Sequence, residues 1–162
     1  MNKLNFMGIG PKIGSVVLPW LAAAIFITLR FKGSFRYVSD NARILFYIGL
    51  VVISAGVIMY LLTIPALLKG LKETKLMTTG TYFLCCNPLY SSIMLLIIPG
   101  LSFIMNSWLI ITTSIVGYTL LRIFIKSEYE EMEKFFREDF IKYRAETPDF
   151  FPLPLKKLRK LN

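Results

Sequence analysis

The chain contains 162 residues, is 55% hydrophobic and only 18% charged, and carries a formal net charge of +9. A soluble domain of this length is rarely so apolar, and the basic residues flank apolar segments, which favours contact with anionic lipid over nucleic acid. Histidine is absent, which excludes Ser-His-Asp and Cys-His catalytic groups and the commonest metal ligand. Adjacent Cys85 and Cys86 match neither a metal cage nor a C-x-x-C pair, so we expect no metal site and two reduced thiols, with reversible acylation as the weaker alternative.

Long stretches without charge predict membrane-spanning helices. No charged residue occurs in residues 44–68 or 76–121, and the second stretch is too long for one crossing, so it must fold back. Pro99-Gly100 and Asn106-Ser107 are its strongest breaking signals, and Asn87 before Pro88 is a good helix start. We predict one all-α integral membrane domain over residues 1–162, with about four transmembrane helices at about 13–30, 44–69, 88–105 and 108–126.

The C-terminal tail, residues 127–162, is predicted to begin an amphipathic helix at the capping-box pattern Ser127-Glu128-Tyr129-Glu130. One apolar stripe at helical spacing follows, formed by Tyr129, Met132, Phe136, Phe140 and Tyr143. With four spans, the N-terminus, the loop of Lys69, Lys72 and Lys75 and the tail share one side, which holds fifteen of the nineteen basic residues. The positive-inside rule then predicts that both termini are cytoplasmic.

Three sequence blocks carry a resemblance to a known family. They read TTGTYFLCCNPLY from Thr78, EYEEMEKFFREDFIKY from Glu128, and TPDFFP from Thr147. Their pattern and spacing, with a helical hairpin between the first two blocks, resemble the isoprenylcysteine carboxyl methyltransferase and phospholipid methyltransferase superfamily of membrane enzymes over roughly the last half of the chain. The chain departs from the family pattern where Cys86 stands for Arg, Tyr129 for the second Glu, Arg137 for Gly and Phe140 for Tyr.

The resemblance implies methyl transfer from S-adenosylmethionine to a lipophilic acceptor that arrives from the membrane, and it singles out no catalytic residue. The implied cofactor-binding residues are Gly80, Tyr82, Asn87, Pro88, Tyr90, Glu128 and Tyr129. The implied pocket residues are Arg122, Phe136, Phe140, Tyr143 and Phe150.

Each of these assignments has a structural alternative. Asn87-Pro88 is also a plain helix start, the tyrosines are also membrane-interface anchors, and Glu128 is also a favourable acidic residue in a first helical turn. Arg122 is also an arginine that extends to lipid headgroups.

Other functions stay open at this point. Related membrane sterol reductases carry a similar Pro-x-Tyr segment, which would imply NADPH. A non-catalytic scaffold or small transporter is a third hypothesis, although the charge-free spans supply none of the ionisable groups that transporters carry. We expect membrane lipids as partners, and the acceptor and the oligomeric state stay open.

Overall fold

The computed structural model describes residues 8–31, 33–38 and 42–152. Six helices account for most of this part of the chain, and no strand occurs in it: α1 (Gly10–Arg30), α2 (Ala42–Glu73), α3 (Thr81–Leu84), α4 (Pro88–Ile104), α5 (Trp108–Phe136) and α6 (Glu138–Glu146). Helices α1, α2 and α5 are long and apolar enough to cross a membrane, while α4 is shorter. The all-α class is therefore confirmed for the described residues, and the three long apolar helices indicate a membrane protein by their length and composition.

Helix α4 begins and ends where the residue pattern predicts. Asn87 occupies the position before the helix with Pro88 in its first turn, and the chain turns at Asn106, whose φ is +48°. Pro99-Gly100, in contrast, lies inside the helix. Residues Ser92–Ile97 form a π-helical segment just before it. A π segment relieves the collision between a proline ring and the preceding turn, which explains why Pro99 does not end the helix.

Helix α5 differs from the prediction at its C-terminal end. It continues without interruption to Phe136, and the Ser127 hydroxyl donates to the carbonyl of Phe124 within the helix (2.8 Å). Ser127 therefore does not begin a helix. The break falls at Arg137, with φ +49°, so the predicted apolar stripe is divided between α5 and α6. Residues 153–162 of the predicted tail lie outside the described residues.

The long helices lie in the order α2, α4, α5, α1, each packed mainly against its neighbour in that row. Glycines allow α2 and α4 to approach closely. A Cβ added to Gly49 would lie 2.7 Å from the carbonyl oxygen of Gly100, and one added to Gly100 would lie 2.9 Å from the amide of Ile53. Such close backbone contact is typical of helix pairs in membranes.

The two ends of the helix bundle, along the length of its helices, differ in structure. At one end, Asn106 accepts hydrogen bonds from the amides of Tyr37 and Val38 and donates to the carbonyl of Val38, which ties the α1–α2 connection to the turn before α5. At the other end, the start of α1, the end of α2, the start of α4 and the charged part of α5 enclose a cavity. We call this the cavity end.

Candidate functional site

The cavity has a volume of about 320 Å³ and is lined by segments that are far apart in sequence. Nine of the twelve site residues implied by the resemblance lie on its wall: Tyr82, Asn87, Pro88, Tyr90, Glu128, Tyr129, Phe136, Phe140 and Tyr143. Folding therefore brings most of the implied cofactor and pocket residues to one place.

Three implied residues do not line this cavity. Gly80 precedes α3 with φ +65°, a conformation that favours glycine and explains its presence without a ligand. The Arg122 side chain is 56% exposed and forms an ion pair with Asp149 (3.5 Å). Phe150 is only 2% exposed and packs edge-on against Tyr118, with ring centres 5.5 Å apart. Gly80, predicted to bind the cofactor, and Arg122 and Phe150, predicted to line the pocket, therefore lie outside this cavity.

Glu128 meets the start of α1. The backbone amide of Ile9 stabilises its carboxylate, and Ile9 is the residue that precedes the first turn of α1. The oxygen Oε2 of Glu128 is buried and has no hydrogen-bond partner among the described residues. Because α5 runs through residue 128, the carboxylate does not serve the first turn of its own helix, as the structural alternative had it.

Gly8 and Gly10 leave room beside this carboxylate. A Cβ on Gly8 would lie 3.1 Å from Oε2 of Glu128, and Gly8 has φ +48°. A Cβ on either glycine would lie 3.6 Å from the hydroxyl of Tyr90. A larger residue at position 8 would therefore crowd the unpaired oxygen and strain the backbone.

Asn87 connects the cavity wall to the C-terminal part of the chain. Its side chain does not cap α4, although the sequence predicted that role. Instead Nδ2 donates to the hydroxyl of Tyr129 (2.5 Å) and to the backbone carbonyl of Asp149 (3.0 Å). The Tyr129 hydroxyl in turn donates to Oδ1 of Asp149 (3.0 Å).

Residues 148–150 form a strap across the residues that lead into α4. The Cys86 amide donates to the carbonyl of Pro148 (2.8 Å), and the Asn87 amide donates to the carbonyl of Asp149 (3.1 Å). The Ser91 hydroxyl donates to the carbonyl of Phe150 (2.5 Å). Buried Phe150 thus anchors the strap from outside the cavity.

Aromatic side chains form the wall nearest α6. Tyr129 packs on Phe140 with ring centres 5.6 Å apart, and the Tyr143 hydroxyl donates to the carbonyl of Tyr82 (2.6 Å). Burial raises the pKa of Tyr82 and of Tyr143 well above the ordinary tyrosine range. Both hydroxyls are therefore neutral at physiological pH and serve as hydrogen-bonding groups rather than bases.

The two cysteines are packed inside the protein. Cys85 is fully buried and Cys86 is 8% exposed, and neither is disulfide-bonded. Burial, with a smaller contribution from nearby Asp149, raises the pKa of Cys86 to about 12. Acylation requires an accessible thiol with thiolate character, so these positions do not favour it.

Sequence reasoning missed several residues of the site. Lys12, Lys75 and the backbone of residues 8–10 line the cavity, and Asp149 holds two residues of its wall. Gly8 and Gly10, on both sides of Ile9, are the sequence feature that could have indicated close approach of another group to the backbone there. Within the described ranges, no three His, Cys, Asp or Glu residues are grouped so that they could hold a metal ion.

The described residues form an all-helical fold with three helices long and apolar enough to cross a membrane, and a cavity lies at the charged end of these helices. Comparisons with protein-family models, with curated proteins and with solved structures found no match. The chemistry of the cavity and the three sequence blocks are the features of the chain that bear on its function.

Proposed function

We propose that the protein is a membrane methyltransferase that binds S-adenosylmethionine in this cavity and transfers its methyl group to a lipophilic acceptor. The observation that carries the proposal is the oxygen Oε2 of Glu128, which is buried without a partner among the described residues and belongs to a residue that lines the cavity. A buried acceptor without a donor is costly, and a ligand that supplies one removes the cost. S-adenosylmethionine offers several, on its ammonium group, its ribose hydroxyls and its adenine amine.

The rest of the lining also suits this cofactor. About 320 Å³ lies at the lower end of the range of small-molecule sites. Aromatic rings such as Tyr82 and Phe136 attract a sulfonium cation through their faces, and Lys12 and Lys75 on the same wall provide positive charge for the cofactor carboxylate.

The three sequence blocks support the same assignment because they meet in space. Asp149 of the TPDFFP block bonds both Asn87 of the first block and Tyr129 of the second. These hydrogen bonds join three segments that are far apart in the sequence. The contacts give a physical reason for the three blocks to occur together in one chain.

Methyl transfer requires little acid-base catalysis by the protein. A nucleophilic atom of the acceptor attacks the methyl carbon, the carbon–sulfur bond breaks, and its electron pair stays on sulfur, which leaves neutral S-adenosylhomocysteine. The sulfonium is already activated, so the protein contributes chiefly position and orientation. The absence of histidine is compatible with this reaction.

The proposal also includes the number of membrane spans and the side of the membrane on which the cavity end lies. We take α4 as a fourth span, because 17 apolar helical residues reach about 25 Å, near the hydrocarbon thickness. Both termini and the cavity end then lie on the basic, cytoplasmic side, and residues 138–146 form a helix at that surface. Leu67 and Leu71, at the end of lipid-flanked α2, line the cavity and offer an apolar approach for the acceptor.

Titration of the full chain in lipid nanodiscs with S-adenosylmethionine and S-adenosylhomocysteine tests the proposal. We expect saturable binding of both at one site. A folded sample that binds neither would overturn the assignment. Saturable NADPH binding instead would favour a reductase, and flux across proteoliposomes without cofactor binding would favour a transporter.

A further inference from the structure

Asp149 supplies hydrogen-bond acceptors at both ends of a short network. Its backbone carbonyl accepts from Asn87 Nδ2, and its carboxylate Oδ1 accepts from the Tyr129 hydroxyl. A carbonyl and an ionised carboxylate can only accept. The direction of every hydrogen bond between them is therefore determined.

The donor and the acceptor of each hydrogen bond in the network follow from the atoms involved. The backbone carbonyl of Asp149 requires the NH₂ group of Asn87 to face it, which decides the orientation of the amide on hydrogen-bonding grounds. Because the Tyr129 proton goes to the carboxylate of Asp149, the tyrosine oxygen offers only lone pairs to Asn87. The second amide hydrogen of Asn87 occupies one of them.

Both donors of the Asn87 amide are thereby used. Nothing in the described part of the chain donates to its remaining polar atom, Oδ1. Asn87 lines the cavity, so it offers a ligand an acceptor and no donor. Tyr129 likewise has no hydroxyl proton left for a ligand.

The position of Tyr129 is further restricted from other directions. The guanidinium carbon of Arg144 lies 4.1 Å from the centre of its ring, and Arg144 Nε lies 3.6 Å from Oδ1 of Asp149. Phe140 packs against the same tyrosine. Arg144 therefore holds both the ring and the carboxylate that the hydroxyl bonds.

We propose that Asp149 is a positioning residue, whose two acceptors orient Asn87 so that its Oδ1 accepts a hydrogen bond from a donor group of the bound ligand. The proposal rests on the proposed function in taking S-adenosylmethionine as that ligand. It also limits which groups of the cofactor can face these two residues. Because Asn87 Oδ1 and Glu128 Oε2 are acceptors, they bind the ammonium, hydroxyl or amine groups of the cofactor and not its carboxylate.

The experiment compares Asp149→Ala, Asp149→Asn and Tyr129→Phe, alone and combined, in full-length protein. Asparagine keeps an acceptor oxygen for the Tyr129 hydroxyl and loses the charge, while alanine loses both. We expect Asp149→Ala to weaken S-adenosylhomocysteine binding about tenfold and Asp149→Asn to retain most of the affinity. The Tyr129→Phe/Asp149→Ala double variant should lose little more than either single variant, because both changes remove one shared network.

Glu133→Gln is the matched control. Glu133 forms an ion pair with Arg144 (3.5 Å), and its side chain forms no hydrogen bond with Tyr129 or Asn87 in the described part of the chain, so this variant should bind like the parent. Equal losses in Asp149→Ala and Asp149→Asn would overturn the proposal, since they would assign the effect to the ion pairs of Asp149. Additive losses in the double variant would also overturn it.

A measurement without ligand separates this inference from the proposed function. In ¹⁵N-asparagine-labelled protein, the side-chain NH₂ resonances of Asn87, assigned by its replacement, should shift in Asp149→Ala and stay in place in Glu133→Gln. If the parent binds no cofactor but these resonances shift as expected, the proposed function fails while the orientation of Asn87 stands. Resonances unchanged by Asp149→Ala would show that the Asp149 carboxylate does not act on the Asn87 amide through Tyr129, and would overturn the proposed positioning role.

Discussion

The carboxylate of Glu128, in the charged part of α5, is stabilised by the backbone amide of Ile9 at the start of α1. Its oxygen Oε2 is buried and has no hydrogen-bond partner within the described residues, and Glu128 is one of the residues that line the cavity. The proposed ligand-binding role of Glu128 depends on this oxygen.

Glu128→Gln should weaken S-adenosylmethionine binding while the protein stays folded. Glutamine keeps the acceptor for the Ile9 amide and removes the charge. A lost charge-assisted hydrogen bond to the cofactor costs about 1.5–3 kcal/mol, at least a tenfold loss of affinity. If Glu128 acted only at the start of α1, the substitution should lower the free energy of unfolding by only about 0.3–1 kcal/mol and leave the affinity unchanged.

Calorimetric titration and melting curves of parent and variant distinguish these two roles. Exposed Glu130 of the same helix does not line the cavity, so Glu130→Gln is the matched control. Equal affinities for Glu128→Gln and the parent would remove Glu128 from the site.

Tyr129→Phe should destabilise the fold, because the Asn87 amide loses its acceptor and Asp149 loses its donor in a buried network. Unsatisfied buried polar groups cost about 1–3 kcal/mol. Thermal unfolding in detergent measures this loss. Tyr118→Phe removes a hydroxyl from a tyrosine whose ring packs on Phe150, and it should leave the melting temperature nearly unchanged; comparable losses in both variants would contradict the network.

Phe150→Ala should be much more damaging than Phe151→Ala. Phe150 is 2% exposed and Phe151 is 58% exposed, although the two are neighbours in the sequence. Removal of a buried phenylalanine costs about 3–5 kcal/mol, and here it would also release the strap from Ser91. Limited proteolysis after residue 146, together with melting curves, reports both effects. Similar behaviour of the two variants would show that residue 150 does not anchor the strap.

Gly49→Ala should destabilise the pairing of α2 with α4, because the added methyl group would lie 2.7 Å from the carbonyl oxygen of Gly100. Gly14→Ala in α1 is the control, since nothing lies within 4 Å of a Cβ there. Alanine is the better helix former by about 0.5–1 kcal/mol, so the control should be neutral or stabilising. Gly49→Ala should therefore lower the melting temperature, while Gly14→Ala should leave it unchanged or raise it.

Cys86 should resist iodoacetamide at pH 8 in a Cys85→Ala background. The thiolate is the reactive form, and a pKa of about 12 keeps Cys86 protonated where an unfolded cysteine, with a pKa of about 8.5, already ionises. Raising the pH from 7 to 9 should increase labelling steeply in denatured protein and hardly at all in folded protein. Rapid labelling of the folded protein at pH 8 would contradict the buried placement.

The helices themselves follow from local sequence. Runs of apolar residues without charge can bury their backbone polar groups only as helices in a membrane, so the all-α class, the long segments α1, α2 and α5 and the turn at Asn106 were predictable. Helix ends were less so. The capping-box pattern at Ser127 is compatible with a helix start, but α5 continues through it to Phe136, where the positive φ of Arg137 ends the helix.

The partners of the site residues were decided only by the tertiary structure. The sequence predicts Asn87 as a cap, whose side-chain oxygen would accept from an N–H group in the first turn of α4. In the structure its NH₂ group instead donates to Tyr129 and Asp149, because α5 and the strap bring two acceptors to it. Asp149 carries no local signal at all. Which groups a polar side chain meets depends on contacts between distant segments, and periodicity and composition describe only neighbours along the chain.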